Sequence, residues 1–230
     1  MTRAWKFLDH RSTGVFSGFV WPTPAEAGRP GPWVESASLV PCEQGIHACS
    51  AEHLAWWMSA QLWEIELSGE VIAGDQKVVA ERGRLVRLIG GWPDLGAQLA
   101  EWAVWRVRDN AVAVLTTVGN TAGATAMAAT ETFDSLATVA GGLRLEPASP
   151  AGIAVEQVVD AIDDVVNPIF ACWDAARAAG HRASAIDRSI ASYKAAFASE
   201  RQAQSRRIAE RLSLAGEPAL DLTAASAEDR

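Results

Sequence analysis

The sequence predicts an α+β protein: a small mixed or antiparallel sheet in an N-terminal unit, then a helical C-terminal unit. Three observations carry this. Short alternating apolar segments broken by Gly and Pro fill the first ninety or so positions, the pattern of half-buried strands. From Pro93 onward the apolar residues recur at helical spacing, beginning with Leu95, Leu99, Trp102 and Trp105. Nine of the ten tryptophans lie before residue 106, against a single tyrosine in the whole chain, so the two halves differ in composition as well as period. The expected division is 1–92, 93–214 and a polar, small-residue tail at 215–230 that frays.

In chain order, Trp5–Leu8 reads as a first strand and Val15–Trp21 as a second, with Gly14 and Gly18 marking a turn and a bulge. Gly28-Arg29-Pro30-Gly31-Pro32 is a surface loop. Trp33–Leu39 is a further strand candidate, and Ile46–Cys49 a short one after the turn at Gly45. Ser50 is placed to cap a helix over 51–61, with Glu52 in its first turn. Leu62–Leu67 alternates strictly, putting Glu64 and Glu66 on one face and Trp63, Ile65 and Leu67 on the other. Ser68-Gly69 reads as a turn, followed by strands at 70–73, 76–80 and 84–89. Helices are expected from 93, over 125–140, over 155–166 with a break at Asn167-Pro168, and over 169–179, ended by Gly180. The last, over 183–214, carries Ile186, Ile190, Tyr193 and Phe197 as its buried stripe.

Net charge is −8 with a pI near 5.0, which disfavours nucleic acid as a partner. The basic residues of the last helix read as a solvated face. No run approaches the roughly 18–20 apolar residues of a membrane span, so no membrane is expected. Three cysteines, only two of them close together, do not make a disulfide framework, and the expected location is the cytoplasm.

The densest polar constellation is Pro41–His53. It holds Cys42, His47, Cys49 and His53 in the spacing C-x4-H-x-C-x3-H. His47, Cys49 and His53 are the ligand-binding candidates. The residue types suit zinc, yet one short strand and one helix turn would have to wrap the ion, so no metal is expected. Cys49 precedes a helix start, where a dipole would lower a thiol pKa, with His47 or His53 as base. The bland alternative is a half-buried cysteine pair beside a hydrogen-bonded histidine.

Gly45-Ile46-His47-Ala48-Cys49-Ser50, followed by Ala51–Trp57, resembles the strand and helix that border the nicotinamide pocket of ADP-ribosyltransferases. That resemblance implies NAD as cofactor, His47 as a ligand contact, and a catalytic glutamate at Glu64 or Glu66, with Glu70 also in range. His10 would match the family's first-strand His, though without its His-Gly-Ser/Thr context. The same segment is similar to bacterial and phage-associated proteins with a Cys…Gly-(Ile/Leu)-His-x-Cys signature, a similarity that names no activity. Without NAD the cofactor is unknown. The leading expectation is a non-enzymatic binding or assembly module. Its α+β head recognises a protein partner, or its C-terminal helices self-associate.

Overall fold

A computed structural model describes residues 1–26, 28–41, 43–187 and 189–214. The expectations for Cys42 and for the tail 215–230 lie outside the described residues. The chain forms two compact units. One comprises Met1–Pro93 with residues 205–214; the other is Asp94–Gln204. The first is thus discontinuous in sequence, and residues 205–214 group with it rather than with the helical unit.

The N-terminal unit is an antiparallel sheet of five strands: β1 (Thr2–Leu8), β2 (Val34–Glu35), β3 (Ile46–Ala48), β4 (Gln61–Ala73) and β5 (Val78–Leu88). β1 pairs with β4, β4 with β5, and β5 with both β2 and β3. Trp5 and Cys49 then exchange both backbone hydrogen bonds at 2.8 Å, closing a ring β1–β4–β5–β3–β1. β3 therefore lies beside β5, not beside β4. Ala4, Leu8, Ile46, Ala48, Trp63, Ile65, Leu67, Val78, Ala80 and Leu85 share one face and form the core with Trp21. A fully buried leucine such as Leu8 contributes roughly 1.5–3 kcal/mol.

Where several short strands are expected after residue 61, two long ones are found. The reason is Gly69. Its φ of +80° makes a bulge rather than a chain reversal. Pairing resumes after a register shift between Ser68 and Val71. A Cβ at Gly69 would collide with the Glu81 carboxylate, which accepts a hydrogen bond from the Glu70 N–H at 3.1 Å. The actual reversal is at Gly74, whose N–H donates to Lys77 O at 2.8 Å.

Two other expectations are corrected. Residues 15–21 form no strand but a loop held by the single bridge Thr13–Val20, because glycine turns leave too few residues to build a ladder. The helix over 51–61 is only a 3-10 helix, Ala51–Trp56. Ser50 makes no cap to its backbone; its Oγ pairs with His53 Nδ1 at 2.9 Å instead.

The helices are α1 (Trp92–Thr117), α2 (Thr121–Ala128), α3 (Phe133–Gly142), α4 (Pro150–Asp163), α5 (Pro168–Asp187) and α6 (Ile190–Arg211). The expected helix 125–140 is two helices. Thr132 and Ser135 form a capping box at the start of α3, and Arg108 donates to Thr130 O at 3.2 Å in the connection. Gly180 does not end α5. It sits inside the helix because the Tyr193 ring packs where a Cβ would be, 2.7 Å from that position. α5 runs on to Asp187, and α6 begins at Ile190. Ile186 and Ile190 are 65 and 71% exposed, so they do not form a buried stripe with Tyr193 and Phe197.

Candidate functional site

Backbone register places each of the singled-out residues. His47 lies opposite Val79 on β5. Glu64 lies between Trp5 on β1 and Arg87 on β5, and Glu66 between Arg3 and Arg84. Val79 and Arg87 are eight residues apart on one strand, so His47 and Glu64 occupy different parts of the wall. Cys49 and Glu64 flank Trp5 from opposite sides, about two strand spacings (roughly 10 Å) apart. The structure does not gather His47, Cys49, Glu64 and Glu66 into one cleft.

Both glutamates are engaged. Glu64 is 3% exposed; its Oε1 meets Arg3 Nε at 3.2 Å, and its Oε2 accepts from Arg87 Nε at 2.9 Å and Nη2 at 2.8 Å. Glu66 Oε2 accepts from Arg84 Nε at 2.7 Å and Nη2 at 2.6 Å. The Arg84 and Arg82 guanidinium groups lie 4.6 and 5.1 Å from the centre of the Trp33 ring, and Arg82 pairs with Glu35 at 3.0 Å. This charged lattice fixes the outer wall of the sheet. A carboxylate saturated by two cations has little capacity left to stabilise a reacting centre.

The Cys/His segment is equally closed. Cys49 is 1% exposed, and burial pushes its thiol up to about 12, against the pull of the nearby Lys6 ammonium. The expected activation by a helix dipole is overturned: the thiol is shut away from water, and only a six-residue 3-10 helix follows it. His47 Nδ1 lies 3.1 Å from Gly45 O, which makes it the N–H donor and leaves Nε2 as a buried acceptor without a partner among the described residues. Burial, then Lys77 and Lys6, lowers the His47 pKa, so the ring is neutral. Lys6 Nζ donates to His47 O at 2.6 Å and lies 4.7 Å from the Trp21 ring centre. Burial lowers its pKa to about 8. Burial also lowers His53, opposed by Glu52 and Asp75. Among the described residues, no three His, Cys, Asp or Glu side chains are placed to share a metal ion.

One exposed feature lies where the sequence predicts a strand. In the loop closed by Thr13 and Val20, Val15, Phe16, Phe19 and Val20 are 52, 86, 45 and 66% exposed. Each aromatic side chain rests on a tryptophan that carries a lysine. Phe16 meets Trp57 edge-on at 6.0 Å, with Lys77 5.8 Å from that ring. Phe19 meets the buried Trp21 at 5.7 Å, with Lys6 on it. Trp57 is anchored by its indole N–H, which donates to Gln76 O at 2.7 Å. The sequence signal was present in Gly14 and Gly18, which bracket a run too short for a paired strand.

No protein-family model matches this chain, and no curated protein or solved structure matches it either. Among the described residues no helix is long and apolar enough to cross a membrane.

Proposed function

We propose that the chain is a non-enzymatic binding module. Its N-terminal unit recognises a partner protein through the loop 13–20. The observation that carries this reading is the exposure of four large apolar side chains within six residues, two of them aromatic rings braced on tryptophans. Apolar surface held this way loses little rotamer freedom when covered, which is the character of an interface anchor. The engagement of Glu64, Glu66 and Cys49 is structural in this reading.

The test is site-specific photo-crosslinking in cells, with the photoreactive residue at position 16 and, as control, at the exposed position 131. A discrete adduct at 16, absent at 131 and abolished by Phe19→Asp, is the expected result. Identical adduct patterns at the two positions would remove the loop from consideration. Calorimetry with millimolar NAD and a nicotinamide-release assay address the transferase alternative. Turnover that falls roughly 10²–10³-fold in Glu64→Gln or Glu66→Gln would replace the binding reading with it.

A further inference from the structure

The Cys/His segment has no part in the binding reading, yet it carries the platform on which the loop 13–20 rests. β3 is three residues long. It holds to β5 through three residue pairs, and the Trp5–Cys49 bridge just after it holds to β1. The chain then enters the 3-10 helix Ala51–Trp56, and Trp57, which ends that helix, is the ring that Phe16 meets edge-on.

His47 sits at the centre of this segment. Its Nδ1–H is directed at Gly45 O at 3.1 Å, and its Nε2 is buried with no hydrogen-bond partner among the described residues. Two cations act on it: Lys6 from β1, which donates to His47 O at 2.6 Å, and Lys77, the residue before β5. Burial brings Lys6 down only to about 8, so it is charged throughout the acid range, while the Cys49 thiol stays neutral. Glu52 on the 3-10 helix and Asp75 in the β4–β5 turn act on the other histidine, His53, whose Nδ1 is met by Ser50 Oγ at 2.9 Å.

A proton on His47 Nε2 would find no acceptor and would add a third positive charge beside Lys6 and Lys77. Both effects favour the neutral ring in the closed segment and the protonated ring once the segment opens to water. Lys77 also lies 5.8 Å from the centre of the Trp57 ring, so the cation that His47 would repel is the one against the platform of Phe16.

We propose that β3 and the 3-10 helix after it form an acid-release device for the loop 13–20: protonation of His47 frees residues 46–57 from the sheet, displaces Lys77 from Trp57 and removes the brace under Phe16. Recognition by the loop is thereby confined to neutral and alkaline conditions. That consequence rests on the loop being the recognition element; the opening itself does not. Burial first, then Lys77 and Lys6, holds the folded His47 below its ordinary 6.5. The closed segment therefore has its full stability above pH 6.5 and loses it as pH falls from there toward the folded value. Each pH unit below 6.5 raises the opening constant by up to about tenfold.

Hydrogen exchange of the full chain, read by mass spectrometry at about pH 7.5 and about pH 5.5 and corrected for the intrinsic rate at each, tests the device. Peptides over 46–57 should lose roughly tenfold in protection at the lower pH, while those over β4 and β5 keep theirs. His47→Asn retains a donor toward Gly45 O and cannot be protonated, so its protection should not change between the two pH values. Lys77→Met should reduce the acid loss, and His53→Asn should leave it in place. Equal wild-type protection at both pH values would overturn the proposal. So would an acid loss that persists in His47→Asn, one undiminished in Lys77→Met, or one abolished by His53→Asn. Photo-crosslinking from position 16 in extracts at the same two pH values reads the consequence. The adduct should weaken roughly tenfold at the lower pH in wild type and not in His47→Asn. An adduct of equal strength at both would overturn the release step. No adduct at either would remove the recognition reading, and the exchange data would still decide the opening.

Discussion

Glu64 in the β unit and Asp174 in the helical unit are both almost wholly excluded from solvent, at 3 and 5% exposure, yet their surroundings are opposite. Glu64 is met by Arg3 and Arg87 on both oxygens. Asp174 pairs with Arg177, at 3.4 Å, and among the described residues its Oδ2 is buried without a cation or N–H donor. Burial first, then the Asp164 and Asp160 carboxylates, pushes its pKa up to about 7. The difference follows from secondary structure. On a sheet, facing residues of adjacent strands place opposite charges side by side by register alone. On the α4–α5 hairpin the acids arrive from both arms, with one arginine between them. The β unit meets its buried acid with two cations; the helical unit keeps its own partly protonated near neutrality.

The largest expected effect breaks the first half of this contrast. Arg87→Met leaves Glu64 buried with one cation and should cost about 3 kcal/mol in denaturant melts. A loss under about 1 kcal/mol would show that Arg3 alone suffices.

Asp174→Asn comes next and breaks the second half. A carboxyl whose folded pKa lies above its ordinary 3.8 binds the proton more tightly in the native state. Stability is therefore lost as pH rises through the window from about 4 to about 7. The variant should gain roughly 1–3 kcal/mol over wild type at pH 8 and nothing at pH 4. A gain that does not change between those two pH values would sink the account.

Glu64→Met sharpens the asymmetry of the ion pairs. The arginines it strands have side chains 55 and 60% exposed and can return to water, so the cost should stay below about 1 kcal/mol. Comparing it with Arg87→Met in one set of melts tests whether the acid or the base bears the desolvation.

Asp160→Asn should give the smallest change. Asp160 is solvent-facing, so removing its charge near Asp174 should stabilise by only a few tenths of a kcal/mol and lower the apparent midpoint of the pH window.

Much of the fold was legible locally. The alternation in 62–67 assigns the two faces of β4, and the helical period from Leu95 finds α1. What was not legible depends on partners distant in sequence. The closing pair Trp5–Cys49 joins residues far apart in sequence and has no local mark. Gly69 and Gly180 read as terminators because glycine usually is one. Here the first makes room for Glu81 and the second for Tyr193. At the site, the spacing of His47, Cys49, Glu64 and Glu66 was visible. The arginines that occupy the glutamates were not, since Arg3, Arg84 and Arg87 reach them only through strand pairing.

The discontinuous first unit has a consequence for how the chain is made. Its sheet is complete once Leu88 has been synthesised, but the unit also takes in residues 205–214, and the Ala55 N–H has its acceptor in Ser205 Oγ at 3.0 Å. About 110 residues of helical sequence are translated in between. At about 5–20 residues per second, the ring waits roughly 6 to 20 seconds on the ribosome with that part of its surface open. Throughout that interval Phe16 and Phe19 are exposed as well, so the nascent unit shows chaperones both the loop 13–20 and the surface that residues 205–214 later cover.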